Sequence, residues 1–193
     1  RCSRDWSSDV CSSDLDTTRG ADYALEFHAK VSADPQLVLA VADDPEGRGP
    51  AWQGPDGQWR PRLPGRTRWL WTDEPGRDGE DAGFAGSINL RWARDGSGRA
   101  VAELPPHVSG HIGYAVVPWQ RQRGLATQAL RLLLPMAWSE GLPWVHLTTD
   151  PDNTASQKVM QANGGVLVGR YERAGADGPV PALRFQIDRP IGA

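Results

Sequence analysis

The segment Val116-Val117-Pro118-Trp119-Gln120-Arg121-Gln122-Arg123-Gly124-Leu125-Ala126-Thr127-Gln128-Ala129-Leu130 constrains this chain more than any other. An apolar strand end runs into a basic, glycine-bearing turn and then into the start of a helix. The first four backbone N–H groups of a helix have no intrahelical partner and carry the positive end of its dipole, so a pyrophosphate laid across them gains hydrogen bonds and favourable charge together. Gly124 has no side chain to hold an anion off, and Ala126 has little. Arg121 and Arg123 can add charge-assisted contacts from the turn, because a planar guanidinium matches a phosphate edge.

The flanking pattern predicts an α/β domain. Arg68–Thr72 reads as a strand, Asp73–Gly83 as a turn, and Ser87–Trp92 as a second strand with Ile88, Leu90 and Trp92 on one face. A third strand, His111–Val117, puts Ile112, Tyr114 and Val116 on one side and His111, Gly113, Ala115 and Val117 on the other. The second side is small in its middle, so a ligand has room against it. The following helix carries Leu125, Ala129, Leu130, Leu132, Leu133, Met136 and Ala137 as its apolar face, is interrupted by Pro135, and ends at Gly141 and Pro143. Trp144–Asp150 is a strand, and strand, crossover helix, strand predicts a parallel pair. Asn153 caps a short helix, Thr154–Ala162, which closes at Asn163-Gly164-Gly165. A hairpin, Val166–Glu172 with Leu183–Asp188, finishes the chain.

The earlier part is less regular. Residues 22–44 are helix-like on balance, with a break at Pro35, and Gly47–Gly65 reads as a Gly, Pro and Trp-rich surface loop. Residues 6–15 form a five-residue near-repeat of low apolar content. Asp9–Leu15 resembles a translated short-read sequencing adapter joined to a gene fragment, so residues 1–15 are expected to be a non-native or disordered leader, a native flexible leader being the alternative. That leaves residues 16–193 as a single domain.

Both cysteines, Cys2 and Cys11, fall inside that leader. The rest of the chain therefore offers no disulfide framework or thiol nucleophile and fits a reducing cytoplasm. A net charge of -3 predicts no attraction to nucleic acid or to an anionic membrane. The apolar run from Leu132 to Trp138 is far shorter than the roughly 20 residues needed to cross a bilayer. Four scattered histidines give no metal-ligand spacing. Nearly all the basic residues are arginine, a bias typical of a GC-rich bacterial coding sequence.

Arg121-x-x-Gly124-x-Ala126 resembles the acetyl-CoA signature of the GNAT N-acetyltransferase superfamily. The order strand, signature, helix, strand, Asp150-Pro151-Asp152-Asn153-Thr154-Ala155-Ser156, helix, Gly164, strand is similar to the characteristic half of that domain from about His107 to Glu172. Gly110-His111-Ile112-Gly113-Tyr114, Asn153-x-x-Ser156-x-Lys158-Val159 and Asn163-Gly164-Gly165-Val166-Leu167 look like a group of predicted bacterial members with no agreed substrate. Leu63-Pro64-Gly65, Trp69 and Ser87–Arg91 look like that group too.

The resemblance implies a mixed, mostly antiparallel central sheet with a parallel strand pair, flanked by helices. It implies direct transfer of acetyl from acetyl-CoA, as co-substrate and without a metal, to an amine of a small molecule or peptide, and it leaves room for a homodimer. By resemblance, amides near Val116 and Val117 hold the thioester and pantetheine arm. Arg121, Gln122, Arg123, Gly124, Leu125, Ala126 and Thr127 surround the pyrophosphate, and Asn153 and Ser156 help hold the CoA arm. For proton transfer His111 and Tyr114 are the candidates, on opposite faces of their strand, with His146 and His107 ranking lower. Arg91 can meet a substrate carboxylate, and Trp52, Trp59, Trp69, Trp71 and Trp119 can line an acceptor pocket. Met160 departs from the pattern, since many members carry at that position a tyrosine that protonates the departing thiolate. A CoA-binding sensor or partner-binding module without turnover is the alternative function.

Overall fold

The computed structural model describes residues 43–53, 57–76, 83–175 and 178–192. The leader expected over residues 1–15 and nearly all of the helix-like 22–44 lie outside these. Asp43–Asp44, the described end of the latter, is a strand, β1. It is followed by β2 (Trp52–Gln53), β3 (Trp59–Arg60), β4 (Gly65–Thr72), β5 (Gly83–Arg91), β6 (Ala93–Arg94), β7 (Ala100–Val101) and β8 (Ile112–Val116). Then come helix α1 (Leu125–Ser139), β9 (Trp144–Thr149), α2 (Thr154–Ala162), β10 (Val166–Gly175) and β11 (Gly178–Asp188). The loop expected over Gly47–Gly65 contains the small hairpin β2–β3, β5 begins at the glycine that was to end a turn, and the final hairpin is longer than its apolar alternation.

Two half-sheets form the scaffold, ordered β1-β4-β5-β8 and β10-β11-β9, and every ladder within them is antiparallel. Ile88 and Leu90 from the first, Trp92 just after β5, and Val145, Leu147, Phe185 and Ile187 from the second share one core with Leu130, Leu133 and Ala137 of α1. Each such side chain contributes about 1.5–3 kcal/mol when fully buried. Leu132, expected on the buried face of α1, is 76% exposed, while Leu134 and Trp138 are buried. In a run of three leucines, 100° apart, the helix can turn only part of the run toward the sheet.

Local chemistry sets the helix ends. Asn153 Oδ1 accepts the Ser156 N–H at 2.9 Å, capping α2. Both helices close in the same way, with a left-handed glycine after the last turn. At α1, Gly141 donates to Trp138 O and Leu142 to Ala137 O; at α2, Gly164 donates to Gln161 O and Gly165 to Met160 O. A Cβ on Gly165 would lie 2.7 Å from Met160 O, so that closure requires glycine.

The parallel pair expected of β8 and β9 is reduced to its base. His111, just ahead of β8, donates its N–H to His146 O at 2.7 Å, and Gly110 passes so close that a Cβ would sit 3.0 Å from the same oxygen. Beyond that point no ladder joins the two strands among the described residues: β8 pairs with β5, and β9 pairs with β11. The sheet is forked, with α1 linking its two prongs. No helix among the described residues is long and apolar enough to cross a membrane.

Candidate active site

The prong made by β8 presents its backbone to the fork. Val117 N–H bonds to Ala85 O at 3.0 Å and Arg91 N–H to His111 O at 2.8 Å, while Gly86 stands opposite Val116 and Ile88 opposite Tyr114. Antiparallel pairs alternate between bonded and non-bonded, so the N–H groups of Tyr114 and Val116 turn away from β5 toward the open side. Of the two amides expected to meet a thioester, Val117 is therefore engaged within the sheet and Val116 is presented to the fork. Strand β5 comes close enough to allow this only because Gly86, at φ +148°, lacks a side chain; a Cβ would lie 2.0 Å from Ala115 O.

After Val117, a single 3-10 turn (Pro118–Gln120) leads to an extended Arg121, a left-handed Gln122 and a left-handed Gly124 at the start of α1. Gln128 N–H bonds to Gly124 O, the first helical bond, so the N–H groups of Leu125, Ala126 and Thr127 lie ahead of the ladder. The first turn has no acidic residue, and among the described residues nothing lies within 4 Å of where a Gly124 Cβ would be.

The arginines of this turn are engaged with protein acceptors. Arg121 Nε donates to Val116 O at 3.1 Å. Arg123 donates to Pro75 O at 2.8 Å and to Gln120 Oε1, and pairs with Glu74. Gln120, wholly buried, also donates to Glu74 O. The sequence reading missed this fastening of the β4–β5 connection to the turn, since its partners are more than 45 residues apart. Glu74 is 77% exposed, so its pairing with Arg123 is worth little.

Tyr114, Ser156 and Asn153, expected separately, are brought together. The Tyr114 hydroxyl lies 2.8 Å from Ser156 Oγ and 3.2 Å from Ser156 O, tying β8 to the first turn of α2. A carbonyl only accepts, so the consistent assignment has Ser156 Oγ donating to Tyr114 Oη and Tyr114 donating to Ser156 O. At the end of β9, Thr149 Oγ1 is buried without a partner among the described residues. Met160 is fully buried in the core beneath α2, and its thioether has no proton to donate.

His111 has no exposure. Its Nδ1 accepts the His146 N–H at 2.9 Å, which puts the proton of the neutral ring on Nε2 and engages the ring's one lone pair. Burial, then the neighbouring His146, push its pKa down to about 4 against an opposing influence from the Ala102 backbone, so the ring is neutral at pH 7. His146 is also lowered, chiefly by burial, and its Nε2 meets Gln186 Oε1 at 3.0 Å. Arg91 is buried and donates to Asn89 Oδ1 at 2.7 Å. The tryptophans expected around an acceptor are dispersed: Trp59 and Trp71 are largely exposed, Trp69 meets Phe84 edge-on, and Trp52 lies near His107. Among the described residues no group of three or more His, Cys, Asp or Glu side chains is placed to hold a metal ion.

The site thus combines a split between strands, an inward-facing amide and a helix start with no side-chain cap and no acidic residue in its first turn. Solved structures similar to this chain include yncA of Salmonella typhimurium with acetyl-CoA (14% identity, TM-score 0.46, covering 60% of this chain and 64% of that one). Others are a GNAT-family acetyltransferase of Streptococcus pneumoniae (18% identity, TM-score 0.44, 58% and 62%) and RimJ of Mycobacterium smegmatis with a CoA disulfide (26% identity, TM-score 0.43, 57% and 49%). The chain thus spans about half to two thirds of the length of these proteins. No curated protein matches it in sequence. The family model of the acetyltransferase (GNAT) domain matches residues 15–166, and with most of its length so matched the chain belongs to the GNAT acetyltransferase family.

Proposed function

We propose that this protein is an N-acetyltransferase that moves acetyl from acetyl-CoA to the amine of a small acceptor, both held in the fork between β8 and β9. The observation that carries this reading is the single backbone bond between His111 and His146 beyond which the strands part, with the start of α1 directly after the β8 prong.

In this reading the N–H groups of Leu125, Ala126 and Thr127 hold the pyrophosphate, Gly124 keeps the approach open, and Arg121 and Gln122 flank it. Val116 N–H donates to the thioester oxygen as negative charge develops there; one preorganised donor of this sort is worth about 2.7–4 kcal/mol. The acceptor must arrive as a free amine. For an alkylamine with pKa near 10.4, deprotonation at pH 7 costs about 4.6 kcal/mol. The nitrogen lone pair then forms the N–C bond, the C–S bond breaks with its electron pair going to sulfur, the nitrogen releases a proton to water, and the sulfur takes one up.

Tyr114 supplies that last proton, and the Ser156 hydroxyl, donating to Tyr114 Oη, stabilises the phenolate left behind. Asn153 holds Ser156 in place through the helix cap. His111, neutral and with its lone pair engaged, acts as the brace at the base of the fork.

The test is thiol release from acetyl-CoA by the purified full chain over a panel of amines, beside calorimetric binding of CoA. Amine-dependent release is expected. Tight CoA binding without turnover on any amine would make the protein a CoA-binding module, and absence of CoA binding would remove the site.

A further inference from the structure

Arg184, on β11 opposite Thr148 of β9, has a buried Nε with no hydrogen-bond partner among the described residues. Its guanidinium carbon lies 4.5 Å from the centre of the Tyr171 ring, and its Nε is buried. Among the described residues no hydrogen bond or ion pair reaches the side chain, and the Tyr171 hydroxyl beneath it is also buried and unpartnered. A guanidinium stays charged and carries five donors. Buried polar groups are nearly always satisfied, so the buried Nε calls for an explanation, while the half-buried residue leaves its terminal nitrogens toward the pocket.

The same side chain lines a pocket of about 290 Å³ between the second half-sheet and the β7–β8 connection. Trp144 and His146 form one wall, their rings 4.2 Å apart and inclined by 36°; Leu104 and Pro105 supply apolar surface opposite, and Glu103 lies at the exposed rim. With His146 kept neutral by burial, Arg184 is the positive charge of this pocket. The volume is at the small end of the ligand-site range. The pocket also adjoins the fork, because His146 both lines it and forms the junction with His111.

We propose that this pocket binds a carboxylate: the acceptor of the acetyl group is a small amine that also carries a carboxylate, gripped by Arg184, with its flat or apolar body against Trp144 and His146. This rests on the acetyl-transfer reading above. A planar guanidinium already fixed on an aromatic face can donate two parallel hydrogen bonds from its terminal Nη groups to a carboxylate end-on, which a carboxamide cannot reproduce.

The test is calorimetric titration of the full chain, with and without CoA, using matched pairs: phenylalanine, 6-aminohexanoate, 4-(aminomethyl)benzoate and glycylphenylalanine, each against its carboxamide. At least one carboxylate is expected to bind ~10-fold or more tightly than its amide. Arg184→Met should abolish that preference while leaving CoA affinity unchanged, Arg184→Lys should retain part of it, and Glu103→Gln should strengthen carboxylate binding. The proposal is overturned if amides bind as tightly as carboxylates, if Arg184→Met keeps the preference, or if no member of the panel binds. The two readings fail separately. Arg184-dependent carboxylate binding without acetyl transfer would sustain the pocket and sink the activity, whereas acetylation of neutral amines unaffected by Arg184→Met would do the reverse.

Discussion

His111 closes the base of the fork against His146 twice, its backbone N–H donating to His146 O at 2.7 Å and its ring Nδ1 accepting His146 N–H at 2.9 Å. One residue thus joins the two half-sheets with main chain and side chain together. The cost of using an imidazole there is that the ring must stay neutral, since protonated Nδ1 would face a donor.

Stability should accordingly fall in mild acid. His111 titrates near 6.5 when unfolded and at about 4 when folded, so between these values the unfolded chain binds more protons. The contribution is complete above pH ~6.5, is lost as pH falls toward ~4, and amounts to something on the order of 3 kcal/mol. His146, also lowered, adds with the same sign. His111→Gln keeps an acceptor for His146 N–H and cannot titrate, so the difference between its urea midpoints at pH 7 and pH 4.5 should be much smaller than the parent's. Equal losses in the two proteins would refute the assignment.

Tyr114→Phe separates tether from acid. Losing the bonds to Ser156 should cost about 1 kcal/mol of stability, whatever the chemistry. If Tyr114 protonates the thiolate, kcat should also drop ~100 to 10,000-fold and the alkaline limb of its pH profile should move. An unchanged kcat and profile would leave Tyr114 as a strut and water as the acid.

Gly124 separates strain from occlusion. Gly124→Ala meets nothing within 4 Å, so it should cost only the left-handed backbone penalty of about 1–2 kcal/mol in stability. Gly124→Glu adds a carboxylate at the helix start and should weaken acetyl-CoA binding ~100-fold or more. Calorimetry giving the parent affinity for Gly124→Glu would remove the phosphate site from this turn.

Gly86 should tolerate no side chain. Gly86→Ala would drive a Cβ to 2.0 Å from Ala115 O at φ +148°, so a loss of roughly 3 kcal/mol or more is expected, together with disturbance of the Val116 amide. Gly96→Ala, with nothing within 4 Å, should stay within ~0.5 kcal/mol. Thermal unfolding of the pair checks both.

Helix α2 was legible to the residue because its signals are local: Asn153 caps one end and Gly164-Gly165 closes the other within three residues of the chain. The faces of β5 and β8 were legible for the same reason, since alternation along a strand follows from backbone geometry. The buried side of α1 was read a residue too generously at Leu132, where apolar character alone could not choose the phase. Arg123 was read toward a phosphate, and its partners Glu74 and Pro75 enter only when β4, β5 and β8 have assembled.

Sequence by itself determined the main elements from β8 to β11, the cap of α2 and the order strand, glycine turn, helix, strand that marks the family, because each depends on groups a few residues apart. Tertiary structure decided that β8 and β9 part after one bond, that Val116 rather than Val117 faces the gap, that Tyr114 meets Ser156 and that Arg184 has no counter-ion among the described residues. These depend on pairings between elements 24 to 42 residues apart, such as Asn89 against Gly113 and Tyr114 below the turn of α2. A one-residue shift in register turns every inward group outward, and the preference for one register is a property of the whole packed core rather than of any segment.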